Sequence, residues 1–179
     1  MIQIFLLEFF DADSCASAAF LAGIHYLNYP PLKKTTPMKV ADILSRKGSQ
    51  VVQIDPATPV IDALRLMADR NIGSVVVVAH GQYQGIVTER DYSRKVILKG
   101  KNSTDTTAGE IMSTDLPSLS PADNIDKCME LMSEKHIRYL PVFAEGQLAG
   151  IISMSDVVAA KMKRQQETIS HLEQYISGS

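Results

Sequence analysis

Two stretches of this chain set a hydroxyl three residues ahead of a carboxylate, in matching surroundings. Residues 85–91 read Gly-Ile-Val-Thr-Glu-Arg-Asp, and residues 150–156 read Gly-Ile-Ile-Ser-Met-Ser-Asp. Thr88-x-x-Asp91 and Ser153-x-x-Asp156 have two chemical readings. As capping boxes, they tie up free backbone amides at the start of a helix. As ligand contacts, each carboxylate can accept from both hydroxyls of a vicinal diol, such as the 2′ and 3′ hydroxyls of ribose. The hydroxyl and the adjacent helix start also suit a phosphate or sugar oxygen. Cations stand near in sequence: Arg90, Arg94 and Lys95 after the first corner, and His136 and Arg138 before the second hairpin. These are candidate phosphate contacts. A planar purine needs an apolar slot, and Ile72, Ile137 and Pro141 can supply one.

Other chemistries find little support. The chain has no Gly-rich phosphate loop, no HExxH and no GxSxG. Its four histidines, His25, His80, His136 and His171, are scattered, and Cys15 and Cys128 have no metal-ligand spacing. No catalytic residue and no metal is therefore expected. His136 reads as a phosphate contact or a polar strand-edge residue before it reads as a general base. Cys128 lies on an apolar helical stripe and is expected as a buried, reduced thiol, which fits a cytoplasmic protein. The formal net charge is −2, with 21% charged residues. No basic excess points to nucleic acid, and no acidic tail is present.

The elements around the corners occur twice, 65 residues apart. From Pro56–Asp91 to Pro121–Asp156 the match runs without a gap, with 12 of 36 positions identical. Such a period means two copies of one structural unit. Val60, Ala63, Leu64 and Met67 recur at i, i+3, i+4 and i+7 and predict an amphipathic helix. Thr58 is the expected N-cap, with Pro59 at the first helical position. The twin helix carries Ile125, Cys128, Met129 and Met132 and is expected to begin at Asp123. Val75–Ala79 is a β-branched run, and hence a buried strand. His80-Gly81-Gln82 turns it into a return strand at 84–87, a hairpin. The twin hairpin runs from Tyr139 to Ala144 and from Leu148 to Ile152. A short strand at 51–54 is weakly echoed at 116–119. Lead-in helices are expected at 40–44 and 108–112. After each hydroxyl a further helix starts, at Glu89 and at Met154.

One such unit has too little interior to be comfortable alone. Two can bury their sheet faces together with pseudo-twofold symmetry, which sets the two corners at equivalent places around a shared cleft. The fold class expected is α/β of the α+β kind: two repeats, each a small three-stranded sheet with flanking helices. The boundaries read as 38–100 for the first repeat, 101–160 for the second, and 161–179 for an extension of the last helix. Residues 1–37 read as a loose leader or a mis-assigned upstream start, with a membrane-peripheral anchor as the alternative; the stretch is too short and acidic to span a bilayer. In the last helix Val158, Met162, Gln165, Ile169, Leu172 and Ile176 step by 4, 3, 4, 3 and 4. This heptad-like seam either covers its own domain or packs on a second chain.

The double unit resembles a tandem pair of CBS (cystathionine β-synthase) domains, a Bateman module, over roughly residues 40–160. The residues that carry the resemblance are 85–91, 150–156 and the segment His136-Ile137-Arg138-Tyr139-Leu140-Pro141-Val142. With no catalytic or transport domain attached, it is similar to the stand-alone CBS-pair proteins of bacteria. The resemblance implies an adenosine ligand (AMP, ADP, ATP, NAD(H) or S-adenosylmethionine) in the cleft between the repeats, and a disc-like homodimer. It assigns ribose to Thr88 and Asp91, and to Ser153 and Asp156. It assigns the base to Ile72-Gly73-Ser74 and Ile137-Arg138-Tyr139. The expected function is a nucleotide-sensing regulatory module, not an enzyme, that acts on an effector protein or on its own dimer. A structural dimerisation module and, further off, an enzyme acting on bound nucleotide are the alternatives.

Overall fold

The computed structural model describes residues 37–48 and 51–177. The leader expected at 1–37 lies, but for Pro37, outside the described residues. In chain order the elements are α1 (Val40–Lys47), β1 (Gln53–Ile54), α2 (Val60–Arg70), β2 (Ser74–Ala79), β3 (Gln82–Thr88) and α3 (Glu89–Lys95). A 3₁₀ turn at Ile97–Lys99 follows, then α4 (Ala108–Ile111), α5 (Ile125–Glu134), β4 (Tyr139–Ala144), β5 (Gln147–Ser153) and α6 (Met154–Ser177).

The 65-residue period is carried into backbone detail. β2 pairs with β3 antiparallel, and β4 with β5, each with a register shift, after Val77 and after Val142. Both hairpins turn through two residues of positive φ, His80-Gly81 and Glu145-Gly146. These are the left-handed conformations that let a two-residue turn follow the twist of its strands. Asn71 and His136, also 65 apart, hold φ near +50° at the ends of α2 and α5.

The two units differ at their edges. β1 adds parallel to β2 and completes a three-stranded sheet. In the second repeat the echo at 116–119 is a single bridge, Leu119 to Val142. The Leu119 amide donates to the Pro141 carbonyl, and Phe143 donates back to Leu119. Two residues earlier the next inward-facing donor would be Pro117, which has no N–H. The second sheet proper therefore has two strands, where three were expected.

Two helix starts also shift. α2 begins at Val60 with Pro59, not Thr58, at the cap position. The Thr58 carbonyl instead accepts from Ala108 (2.8 Å), and Pro59 bridges to Thr107, which holds this segment extended. α5 begins at Ile125, not at Asp123, and is capped by Asn124, whose side chain accepts from the Asp126 amide. The Asp123 carboxylate takes the Ser120 amide and Lys127.

Each lead-in helix packs on the other repeat. Val40 and Ile43 of α1 join Ile125, Leu140, Ile152 and Val157 in one core. Ala108 and Ile111 of α4 join Val60, Val75 and Val87 in the other. The backbone follows: Val40 donates to Asp123 and Ala41 to Pro121, while Val60 donates to Thr106 and Gly109 to Pro56. The shared glycine of the two repeated stretches has its reason here. A Cβ at Gly85 would lie 2.8 Å from the Ser113 carbonyl oxygen, and one at Gly150 would lie 2.7 Å from Leu44 Cδ2. The missing side chains let the Leu44 tip of α1 and the Ser113 segment after α4 approach β5 and β3 closely.

Candidate functional site

The two corners are built alike. β3 ends in Thr88 and β5 in Ser153, and each runs straight into a helix. Asp91 Oδ2 accepts from the Thr88 amide (3.0 Å) and hydroxyl (2.6 Å), while the Asp91 amide donates to Thr88 Oγ1. Asp156 Oδ2 accepts from the Ser153 amide (2.8 Å) and hydroxyl (2.6 Å), with the same reciprocal bond to Ser153 Oγ. Both capping boxes are therefore formed. Each uses one carboxylate oxygen.

The second oxygen separates the corners. Asp91 Oδ1 accepts from Ser113 Oγ (2.9 Å) and pairs with Lys95 Nζ (2.8 Å). Four donors meet the Asp91 carboxylate, which is about its full accepting capacity. At Asp156 the cation, Lys47 of α1, goes to Oδ2 (2.7 Å), and Oδ1 has no partner among the described residues. Burial alone would raise the Asp156 pKa. The bonds from Lys47 and Ser153 outweigh it, and the carboxyl sits below its ordinary value.

A cavity opens beside each corner, between the repeats. The one at Asp91, about 550 Å³, is walled by Ile137, Arg138 and Tyr139 of the second repeat. The one at Asp156, about 300 Å³, is walled by Ile72, Gly73 and Ser74 of the first. Each corner thus faces the segment ahead of the other repeat's hairpin. Gly73 and Tyr139 line both cavities. A Cβ at Gly73 would meet the Tyr139 hydroxyl at 2.5 Å, so the phenol packs directly over the glycine as a common wall. Burial first, and then the nearby Glu89 charge, raise the Tyr139 pKa.

The candidate cations Arg90, Arg94, Lys95, His136 and Arg138 all line the Asp91 cavity. They are not equally available. Arg90 donates to the His136 carbonyl (2.6 Å). Lys95 donates to the Ile111 carbonyl (2.7 Å) and Ser113 Oγ (3.1 Å) besides its pair with Asp91. Lys95, expected as a phosphate contact, is thus held in the corner as a strut. Pro141 lines neither cavity; it is buried in β4 opposite Ile151. It lies two residues further along β4 than Tyr139, on the same face of the strand, and neither cavity reaches it. Sequence reasoning missed Lys47, Ser113 and Lys135. Lys47 and Ser113 reach the corners through the crossed lead-in helices, which no local pattern signals. Lys135 was legible as a cation beside His136.

The CBS domain profile matches this chain twice, at residues 40–97 and 108–163. The chain belongs to the CBS domain family. A CBS domain-containing protein of Arabidopsis thaliana, the mitochondrial CBSX3, is 34% identical over 148 residues, 78% of this chain and 72% of its own. The CBS domain-containing protein YhcV of Bacillus subtilis is 30% identical over 65% of this chain and 83% of its own. Among solved structures, a CBS-domain protein of Burkholderia ambifaria, named for a proposed role in signal transduction, is 39% identical with a TM-score of 0.69. It is matched over 72% of this chain and 96% of its own. The tandem CBS pair and its mixed helix-and-strand fold are therefore those of this chain. CBS pairs are commonly regulatory modules. Among the described residues no helix is long and apolar enough to cross a membrane.

Proposed function

We propose that this CBS pair is a regulatory module that binds an adenosine ligand between its repeats and passes the binding event to its own dimer or to an effector protein. The ligand class is that of AMP, ADP, ATP, NAD(H) and S-adenosylmethionine. One observation carries the reading. The Asp156 cap and the Lys47 pair use a single carboxylate oxygen, Oδ1 has no partner among the described residues, and Asp156 lines a cavity together with Ile72, Gly73 and Ser74. A carboxylate oxygen without a partner among the described residues suits a diol, and an apolar side chain such as Ile72 suits a purine face. No catalytic role is needed: binding that favours one arrangement of the repeats is enough to shift a population. The name of the Burkholderia relative points the same way.

Calorimetric titration with adenosine, 2′,3′-dideoxyadenosine and AMP tests this on wild type and Asp156→Ala. Adenosine should bind wild type at least about tenfold more tightly than the variant, the order for one lost charge-assisted hydrogen bond. The dideoxy compound should scarcely distinguish the two proteins. Equal binding of adenosine to both, with both folded, would sink the reading and leave the corner a cap. A second reading, a dimerisation module without ligand, is favoured by the two complete capping boxes and by the exposed apolar seam of α6.

A further inference from the structure

The two cavities occupy equivalent places in their repeats, yet their charges differ position by position. Arg90, Arg94, Lys95, Lys135 and Arg138 surround the Asp91 cavity, against the carboxylates of Asp91 and Glu89. The Asp156 cavity has one cation, Lys47, and it is paired with the one carboxylate, Asp156. Moved by one repeat, Arg90, Arg94 and Lys95 become Ser155, Ala159 and Ala160, and Arg138 answers to Gly73. Only Lys135 has a basic counterpart, Arg70, which is not among the residues lining the second cavity.

The carboxylates differ in the opposite sense. Asp91 has both oxygens engaged, whereas Asp156 keeps Oδ1 open among the described residues. The cavity rich in cations thus has no carboxylate oxygen to spare for a diol. The cavity with that oxygen has no unpaired cation to offer a phosphate. The guanidinium groups of Arg94 and Arg138 line the larger cavity and make no hydrogen bond or ion pair among the described residues. A guanidinium fork of this kind matches phosphate oxygens two at a time, and five cations against two carboxylates give the cleft a net positive charge that gathers anions.

We propose that the cavities divide the labour, a proposal that rests on the adenosine-binding reading above. The Asp91 cavity takes the polyphosphate of a nucleoside di- or triphosphate. The Asp156 cavity takes an adenosine moiety that carries no phosphate.

Titration of the full chain with inorganic tripolyphosphate, ATP and adenosine tests this. The proteins are wild type, Arg94→Ala with Arg138→Ser, and Asp156→Ala; Asp156→Asn, which retains an acceptor for the cap, guards against loss of fold. The double variant should melt with wild type. Tripolyphosphate and ATP should bind wild type and lose about tenfold or more in the double variant, the order for a lost charge-assisted bond. Adenosine should be unchanged there and weakened by either Asp156 substitution, while tripolyphosphate ignores both. If ATP and adenosine bind but tripolyphosphate does not, or binds the double variant as it binds wild type, the division is overturned and the nucleotide reading stands. If neither ATP nor adenosine binds wild type, the nucleotide reading and the adenosine half of the division both fall. Tripolyphosphate then decides the other half alone.

Discussion

Asp91 and Asp156 show how one residue can satisfy two readings at once. A carboxylate has two oxygens, and a capping box needs one. The cap is therefore no argument against a ligand role at Asp156, and the filled second oxygen is the argument against one at Asp91. The Lys47–Asp156 pair also ties stability to pH. The folded pKa of Asp156 lies below its ordinary value, taken as about 3.9 in the unfolded chain. Its contribution is fully present above that value and is lost as pH falls through the lower folded one. Asp123, held down by Lys127 and the Ser120 amide, titrates in the same sense. The wild-type melting temperature should therefore fall on acidification from about pH 5 to pH 3. Asp156→Asn should fall less steeply, because it lacks the Asp156 share. Parallel curves for the two proteins would remove the Lys47 pair from the account.

At the scale of elements, the crossing of α1 and α4 decides what the corners contain. α1 delivers Lys47 to Asp156, and Ser113, two residues past the end of α4, reaches Asp91. The two glycines that admit the crossing should not be equally sensitive. At Gly85 an added Cβ meets a backbone carbonyl, held by the Ile86–Ser113 bridge. At Gly150 it meets the tip of the Leu44 side chain, which can turn away. Gly85→Ala should lower stability by about 1–3 kcal/mol, the usual range for overpacking, and Gly150→Ala by less. Chemical denaturation of the two variants measures the difference. A larger loss at Gly150 would mean that the Leu44 contact, not the Ser113 strand, is the tighter fit.

At the scale of the whole molecule, the long final helix carries an exposed apolar stripe. Val157 and Ala160 turn inward from its first turns and are buried, and Lys161 pairs with Asp126 of α5. Beyond them the seam faces outward: Met162 is 63% exposed, Ile169 47%, Leu172 43% and Ile176 76%. An exposed apolar stripe with heptad spacing is suited to a second copy of the same stripe. Wild type should run as a dimer in sedimentation. Ile169→Asp with Leu172→Asp should run toward monomer while keeping its circular dichroism and melting temperature. A folded double variant that remains dimeric would move the dimer contact to another face.

The repeat, both hairpins with their turns, the amphipathic helices and the two hydroxyl-x-x-Asp corners were all legible in the residues. Each depends on contacts between neighbours along the chain: period 3.6 for α2 and α5, β-branched runs for β2, Gly81 and Gly146 for the turns. Tertiary structure alone decided which side chains meet at the corners. Lys47 and Asp156 are 109 residues apart, and Ser113 and Asp91 are 22 apart on different elements. No local pattern encodes such pairs, because they exist only once each lead-in helix has crossed to the other repeat. For the same reason the tie of Lys95 to Ser113 and the Ile111 carbonyl could not be read from its place after the first corner. Two corners that are equivalent in sequence thus became different in chemistry, because their second carboxylate oxygens met different neighbours.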